Sequence, residues 1–214
     1  SLLILTSPII ANAETGSFPI ADKSSGATVG LQTINKTELN IALSNLEFER
    51  TNVDGSFKYR VFLPTEFGQS VGSFPGPENS VLPTITRLIA VPFDSDPILR
   101  ITKANYTELN DISLADADSE EIQSFENSDR SLSVALENQI VTGSIAGQMR
   151  DIRIYAITIA PVQYDAEKSI LRVYDDIEIE IDHAGSRITL DGNQISEAFI
   201  PIYRAVLDNP AVFD

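Results

Sequence analysis

Side chains able to perform nucleophilic or zinc-dependent catalysis are scarce in this sequence. It has no cysteine and a single histidine, His183, which excludes a thiol nucleophile and zinc sites built from cysteine and histidine. A Ser-His-Asp triad would depend on His183, at the end of an apparent strand that runs into a turn, and we disfavour it. The composition therefore indicates a chain with no catalytic residues and no cofactor.

Carboxylates are abundant, with 31 acidic against 15 basic residues and a formal charge of −16. This charge repels phosphate and anionic lipid, which disfavours nucleic acid and membrane surfaces as partners. Asp116, Asp118 and Glu120 have the one-three-five spacing of calcium loops and form a weak calcium candidate. However, Glu121 occupies the position that needs glycine, and Asn127 the position that needs glutamate. A solvated acidic loop is the favoured interpretation.

Two other chemistries remain as alternatives. Carboxylates that alternate with isoleucine over residues 177–182 have the types needed by a glycosidase, although such side chains usually face solvent. Tyr155, Tyr164 and Tyr174 suggest an aromatic platform for sugar or peptide. A stand-alone secreted binding module for carbohydrate or a surface protein is therefore the second hypothesis.

The elements that position these residues show a period of two. Alternating apolar residues predict a hairpin around Asp54-Gly55, a turn that suits paired strands. Helical spacing occurs only from Phe199 to Val206. Many short strands with one short C-terminal helix indicate an all-β fold, a β-sandwich. The predicted strands cover residues 39–43, 46–48, 57–63, 85–91, 98–106, 132–136, 152–160 and 170–181.

Three regions follow along the chain. Residues 1–13 are apolar and end in Ala11-Asn12-Ala13, which predicts a partial signal peptide and a secreted or cell-surface protein. This run is shorter than the roughly 20 residues of a membrane span, so membrane insertion is not expected. Residues 14–36 are predicted to be a flexible segment, and residues 37–214 a single domain. The acidic stretch 108–129 is expected to be an exposed loop.

Three motifs resemble the propeptide of gingipain-type cysteine peptidases. The most specific is Ala-Pro-Val-Gln-Tyr-Asp at 160–165, followed by Leu-Arg-Val-Tyr at 171–174. Asp165 and Ala166 replace the Asn and Pro of the family motif. The second, at 81–92, is partial, since Glu78 and Ser80 replace a Gly and a Pro; the third is the closing element at 199–209. The residues that carry the resemblance are Leu82, Pro83, Pro161, Gln163, Tyr164, Leu171, Tyr174, Phe199 and Tyr203.

The resemblance implies a sandwich of jelly-roll type that inhibits and helps to fold a cysteine peptidase domain located downstream in the same chain. Its inhibitory loop would lie between Leu114 and Arg130 and cover the active-site cleft until proteolytic removal. The best-known members insert a basic residue, and Arg130 is the basic candidate here. Either Arg130 enters the specificity pocket, or the peptidase prefers another residue, or the loop blocks the cleft without filling the pocket. The loop candidates are Leu114, Asp116, Asp118, Glu120, Phe125, Asp129 and Arg130.

Overall fold

The computed structural model describes residues 13–33, 36–92, 95–126, 136, 139–149, 152–182 and 197–210. Nearly all of the predicted signal segment, most of the predicted strand at 132–136, and His183, Asp129 and Arg130 lie outside the described residues. Within these ranges twelve strands and two α-helices have defined bounds, and Leu136, the described residue of the strand predicted at 132–136, is helical rather than extended. The elements with defined bounds are β1 Glu14–Pro19, β2 Gly26–Thr33, β3 Lys36–Ala42, β4 Asn45–Val53, β5 Ser56–Phe62, β6 Val71–Pro75, β7 Val81–Val91, β8 Ile98–Leu109, α1 Ser119–Glu126, β9 Val141–Met149, β10 Ile152–Ile159, β11 Val162–Asp165, β12 Ile170–Asp182 and α2 Ile200–Val206.

The strands form three antiparallel sheets. A small sheet has the order β1-β4-β5, and a second has the order β6-β7-β10-β9. The third is organised by β12, which pairs with β8 from Leu171 to Asp182. Strands β11 and β3 pair with successive parts of β12, and β2 extends the sheet beyond β3.

The core lies between the sheets and is built from alternate residues of each strand. Ile177, Ile179 and Ile181 of β12 are at most 1% exposed. They belong to one cluster with Ile157 and Ile159 of β10, together with residues of β3, β4, β5 and β7. Burial of one face of each sheet against the other is the defining feature of a β-sandwich, and the predicted fold class is confirmed.

The prediction of a flexible segment at residues 14–36 is wrong for the local structure, because these residues contain two paired strands. Strand β1 pairs with β4, and β2 pairs with β3. Phe18 of β1 packs on Phe48 with ring centroids 4.5 Å apart. Small polar residues join a sheet here because a neighbouring strand satisfies their backbone, which outweighs their weak strand propensity. The division of the chain at residues 13 and 36 stays a prediction.

Strand β9 was not predicted, because glycine and small residues interrupt its apolar pattern. Gly143 is needed at its position, where a Cβ atom would lie 2.3 Å from the hydroxyl oxygen of Tyr155. The glycine thus permits a close approach of backbone to side chain, a common role for glycine within strands.

The predicted C-terminal helix is confirmed as α2, which is fastened to β7. Tyr203 of the helix is fully buried. The residues after the helix pair with the free part of the β7 edge. The Asp208 amide donates to the Leu88 carbonyl at 2.8 Å. The Asn209 side chain accepts from the Ala90 amide at 2.8 Å and donates to the Ala90 carbonyl at 2.9 Å.

We expect Ile179→Ala to lower the free energy of unfolding by about 2–5 kcal/mol, because it opens a cavity in the core. Urea denaturation followed by circular dichroism measures this change. Ile98→Ala is the matched control, since Ile98 lies on the neighbouring strand and is 51% exposed; it should change stability by less than about 0.5 kcal/mol. Equal losses for the two variants would contradict the assignment of Ile179 to the core.

The free energy of unfolding should also depend on pH, because a carboxylate on the outer face of β12 is paired with lysines. A hydrogen bond from Lys103 lowers the pKa of Asp176, burial opposes it, and Lys23 lowers it further. Because the folded pKa lies below the unfolded value, this contribution is present above about pH 4 and is lost as pH falls through the folded pKa. Asp176→Asn should therefore lose less stability than the parent between about pH 6 and about pH 3. Asp54→Asn, at an exposed turn, should follow the parent's pH profile.

Candidate functional site

The chain between β8 and α1, residues 111–117, forms a segment that we call the stalk. It belongs to the stretch expected to carry the inhibitory loop. The stalk is partly buried, because Ile112 is 5% exposed and Leu114 is 6% exposed. Both side chains belong to the main core cluster. The stalk is therefore an integral part of the sandwich, and the expectation of an exposed loop is wrong for this part.

Strand β5 holds one side of the stalk. The Tyr59 amide donates to the Ser113 carbonyl at 2.8 Å, and the Ala115 amide donates to the Tyr59 carbonyl at 2.8 Å. The Lys58 ammonium donates to the Ser113 hydroxyl at 2.9 Å. Leu114 thus pairs with Tyr59 as an isolated parallel bridge. This short strand-like pairing satisfies backbone groups that would otherwise be buried without partners.

The β11–β12 hairpin and the chain before β7 hold the rest of the stalk. The Tyr164 hydroxyl donates to the Ile112 carbonyl at 2.9 Å, and the Ile112 amide donates to the Ser169 carbonyl at 3.0 Å. Farther along, the Ala117 amide donates to the Asn79 carbonyl at 2.7 Å. The position of the stalk is therefore set by three separate parts of the fold.

Helix α1 follows the stalk and begins with a capping box. Asp118 Oδ1 accepts from the amides of Glu120 and Glu121 at 3.0 and 2.9 Å. In return, Glu121 Oε2 accepts from the Asp118 amide at 3.1 Å. This reciprocal pattern stabilises helix N-termini. The exposed loop expected at 108–129 was thus also wrong at 119–126, where the Asp-x-x-Glu spacing is a helix start.

The weak calcium candidate, Asp116, Asp118 and Glu120, is also explained by the start of this helix. Asp116 forms an isolated bridge with Ser80, and the Asp118 carboxylate caps the helix. Among the described residues, no three acidic or histidine side chains form a group that could hold a metal ion. Calcium-like spacing in the sequence therefore reflects secondary structure.

An arginine of β5 connects the sandwich to the helix start. The Arg60 guanidinium forms an ion pair with Glu121, and its Nη2 lies 3.8 Å from Asp118 Oδ2. Glu121 also borders an open cavity of about 360 Å³ between β5, β6 and α1. The N-terminus of α1 is thus tied to β5 beside an unfilled space.

The structure places the loop candidates in different environments. Leu114 is buried in the stalk, whereas Asp116, Asp118 and Glu120 are exposed. Phe125 lies within α1. Asp129 and Arg130 lie outside the described residues, so their part in inhibition stays a prediction.

The residues that carry the family resemblance make contacts within the fold. Tyr164 and Leu171 face each other across the β11–β12 hairpin, and the Tyr174 hydroxyl donates to Gln163 at 3.2 Å. Pro161 accepts from the Tyr174 amide at 2.8 Å. Leu82, Pro83 and Tyr203 are buried, and Phe199 stacks on Tyr203.

Sequence reasoning missed the residues that hold the stalk and helix. Lys58, Tyr59 and Arg60 come from a strand more than fifty positions away in the chain, and nothing local marks them. The capping box was a usable signal, since Asp118-x-x-Glu121 precedes the helix directly. Tyr164 was identified as a motif residue, but its contact with Ile112 was not foreseen.

The other chemistries are not supported by the arrangement. Tyr155 and Tyr164 are buried, so they do not form an open platform. Asp176 pairs with Lys23 and Lys103, and Glu180 pairs with Lys36. No helix among the described residues is long and apolar enough to cross a bilayer.

Tyr164→Phe tests the anchoring of the stalk. Loss of the hydroxyl removes a partner of the Ile112 carbonyl, and a buried carbonyl without a partner costs roughly 1–3 kcal/mol. We expect a loss of stability in this range and faster amide hydrogen exchange at residues 112–117. Tyr106→Phe, on a half-exposed ring of β8, should alter neither measurement. Unchanged exchange at 112–117 in Tyr164→Phe would show that the hydroxyl does not anchor the stalk.

Comparisons with known proteins agree with this architecture. Lys-gingipain of Porphyromonas gingivalis is 26% identical over 183 residues, which cover 78% of this chain and 10% of that protein. The chain therefore spans about a tenth of the length of the curated relatives it matches. Two solved structures show the same fold, each at 18% identity. Gingipain K of P. gingivalis, studied for zymogenic latency, has a TM-score of 0.60 and covers 81% of this chain and 100% of that one.

The complex of P. gingivalis RgpB pro- and mature domains has a TM-score of 0.63 and covers 86% of this chain and 97% of that one. The model of the family Propeptide_C25 matches residues 32–199. This match includes the stalk, α1 and the whole β11–β12 hairpin. The chain belongs to the Propeptide_C25 family.

Proposed function

We propose that this chain is the autoinhibitory prodomain and folding aid of a secreted gingipain-type cysteine endopeptidase. It covers the active-site cleft of the downstream catalytic domain until proteolysis removes it. The observation that carries this proposal is the anchored stalk, which is buried in the sandwich and holds the start of α1 against β5. Membership of a propeptide family supports the same conclusion.

A rigid stalk suits an inhibitor because binding is weakened by the entropy lost when a flexible segment becomes ordered. Here the ordering is already done on folding. Ile112 and Leu114 are buried in the core, and the backbone of Ser113 and Ala115 is bonded to β5. Protease–inhibitor complexes bind tightly through interfaces of ordinary size when the inserted segment is preformed.

The segment also divides into an anchoring part and a contacting part. Leu114 belongs to the anchoring part, since its side chain is buried. The exposed carboxylates Asp116, Asp118 and Glu120, with Phe125, Asp129 and Arg130, are the candidates for contact with the peptidase. Arg130 is the candidate for the specificity pocket, while the acidic side chains would meet a basic rim and accelerate association.

Secretion follows from the predicted signal peptide at residues 1–13. Its Ala-x-Ala end is the pattern that signal peptidases cleave. We therefore place the mature protein outside the cell or on its surface.

Inhibition in trans tests the proposed function. The purified chain is titrated into the gingipain-type peptidase domain encoded in the same reading frame, and cleavage of a peptide substrate is followed. We expect activity to fall towards zero at saturating chain, with an association rate that decreases as salt rises. Replacement of residues 119–130 by an equally long Gly-Ser sequence should weaken inhibition strongly. Papain serves as the control peptidase and should stay active.

Two results would refute the proposal. One is full peptidase activity at saturating chain that circular dichroism shows to be folded. The other is a reading frame that encodes no peptidase.

A further inference from the structure

Helix α1 is held at its N-terminal end, and it is too short to be stable without contacts to the rest of the protein. It has eight residues, which is shorter than the roughly 12–15 residues that an isolated helix needs to be stable in water. Beside its first turn lies the open cavity of about 360 Å³ whose wall includes Phe62, Val71 and Glu121. The space on this side of the helix is therefore not filled by packed side chains.

Several contacts at the helix start come from β5, in addition to the Ala117–Asn79 backbone bond. Tyr59 fixes the stalk through two backbone hydrogen bonds, and Lys58 bonds the Ser113 hydroxyl. The next residue of the same strand, Arg60, pairs with Glu121. Three consecutive residues of β5 thus hold the chain before the helix and the first turn of the helix itself.

Glu121 joins two functions in one carboxylate. Its Oε2 accepts from the Asp118 amide in the capping box and also from Arg60. The capping bond is internal to the helix start and moves with it. The bond to Arg60 reaches from this carboxylate to β5, and it therefore limits rotation of the helix about the end of the stalk.

We propose that Arg60 is a positioning residue for inhibition: by clamping Glu121 it fixes the direction of α1, which lies within the segment expected to carry the inhibitory loop. This inference rests on the proposed function. Arg60 touches the helix start and not the cleft, so its effect is on preorganisation. An ion pair at this exposure contributes little to global stability, which makes the two effects separable.

Arg60→Ala is the direct test, and Arg50→Ala is its matched control. Both arginines lie in the β1-β4-β5 sheet, and their side chains are 32% and 33% exposed. Arg50 pairs with Glu14 and hydrogen-bonds the side chain of Tyr59, whereas the stalk is bonded by the backbone of Tyr59. We expect Arg60→Ala to weaken inhibition of the same-frame peptidase about tenfold, because the helix must then be ordered on binding. Arg50→Ala should inhibit like the parent, and neither melting temperature should change by more than a few degrees.

A second variant separates the clamp from the helix cap. Glu121→Gln keeps an acceptor for the Asp118 amide, since glutamine serves in capping boxes, but it removes the charge that Arg60 binds. It should weaken inhibition nearly as much as Arg60→Ala, and the double variant should be no weaker than either single one. Arg60→Lys retains the charge and should restore most of the inhibition. Hydrogen exchange at residues 119–126 should quicken in Arg60→Ala and not in Arg50→Ala.

The outcomes separate this inference from the proposed function. If the parent chain does not inhibit at all, the prodomain function fails. If the parent inhibits while Arg60→Ala inhibits equally well, or if exchange at 119–126 is unchanged, the clamp is refuted and the prodomain function stands. Additive losses in the double variant would likewise refute a shared clamp.

Discussion

The structure depends on the two-sided pairing of β12. One strand joins β8, β3 and β11 into a sheet, while its isoleucines fill the core beneath. Because side chains alternate with a period of two, the same run must place carboxylates on the opposite face. Lys23, Lys36 and Lys103 lie against those carboxylates, so the repulsion expected from a row of acids is offset locally.

This central strand also determines where the functional segment can lie. The hairpin that begins β12 carries Tyr164 and Ser169, and both bond to Ile112 of the stalk. A buried backbone segment needs such partners because no water replaces them. The hairpin motif that suggested the family from the sequence thus has a structural role. It supports the segment expected to inhibit, although it makes no contact of its own with a peptidase in this proposal.

The sequence predicted the structure best where neighbouring residues alone determine the backbone conformation. The Asp54-Gly55 turn was predicted and is present, with both residues at positive φ. Asp165 forms its turn through its side chain, which accepts from the Lys168 amide. Prediction failed where distant contacts decide. The β9 strand depends on Tyr155 lying over Gly143, and the acidic stretch hides a capping box. The β5 residues that hold the stalk and helix carry no local signal, because their partners are more than fifty positions away.

Different contacts determine the stability of the stalk and the direction of α1. The stalk is stabilised by the core, where Ile112 and Leu114 exclude water, and its loss would require part of the sandwich to open. The start of α1 is instead held by the Arg60–Glu121 ion pair, whose side chains are 32% and 29% exposed, by the helix cap and by the Ala117–Asn79 backbone bond; such surface contacts are individually weak. A propeptide must hold its peptidase firmly and yet be removed by cleavage, and these requirements conflict if a single rigid element serves both. Under the proposed function, strong contacts in the sandwich and weaker ones at the helix start would let the contacting part open for cleavage while the sandwich stays folded.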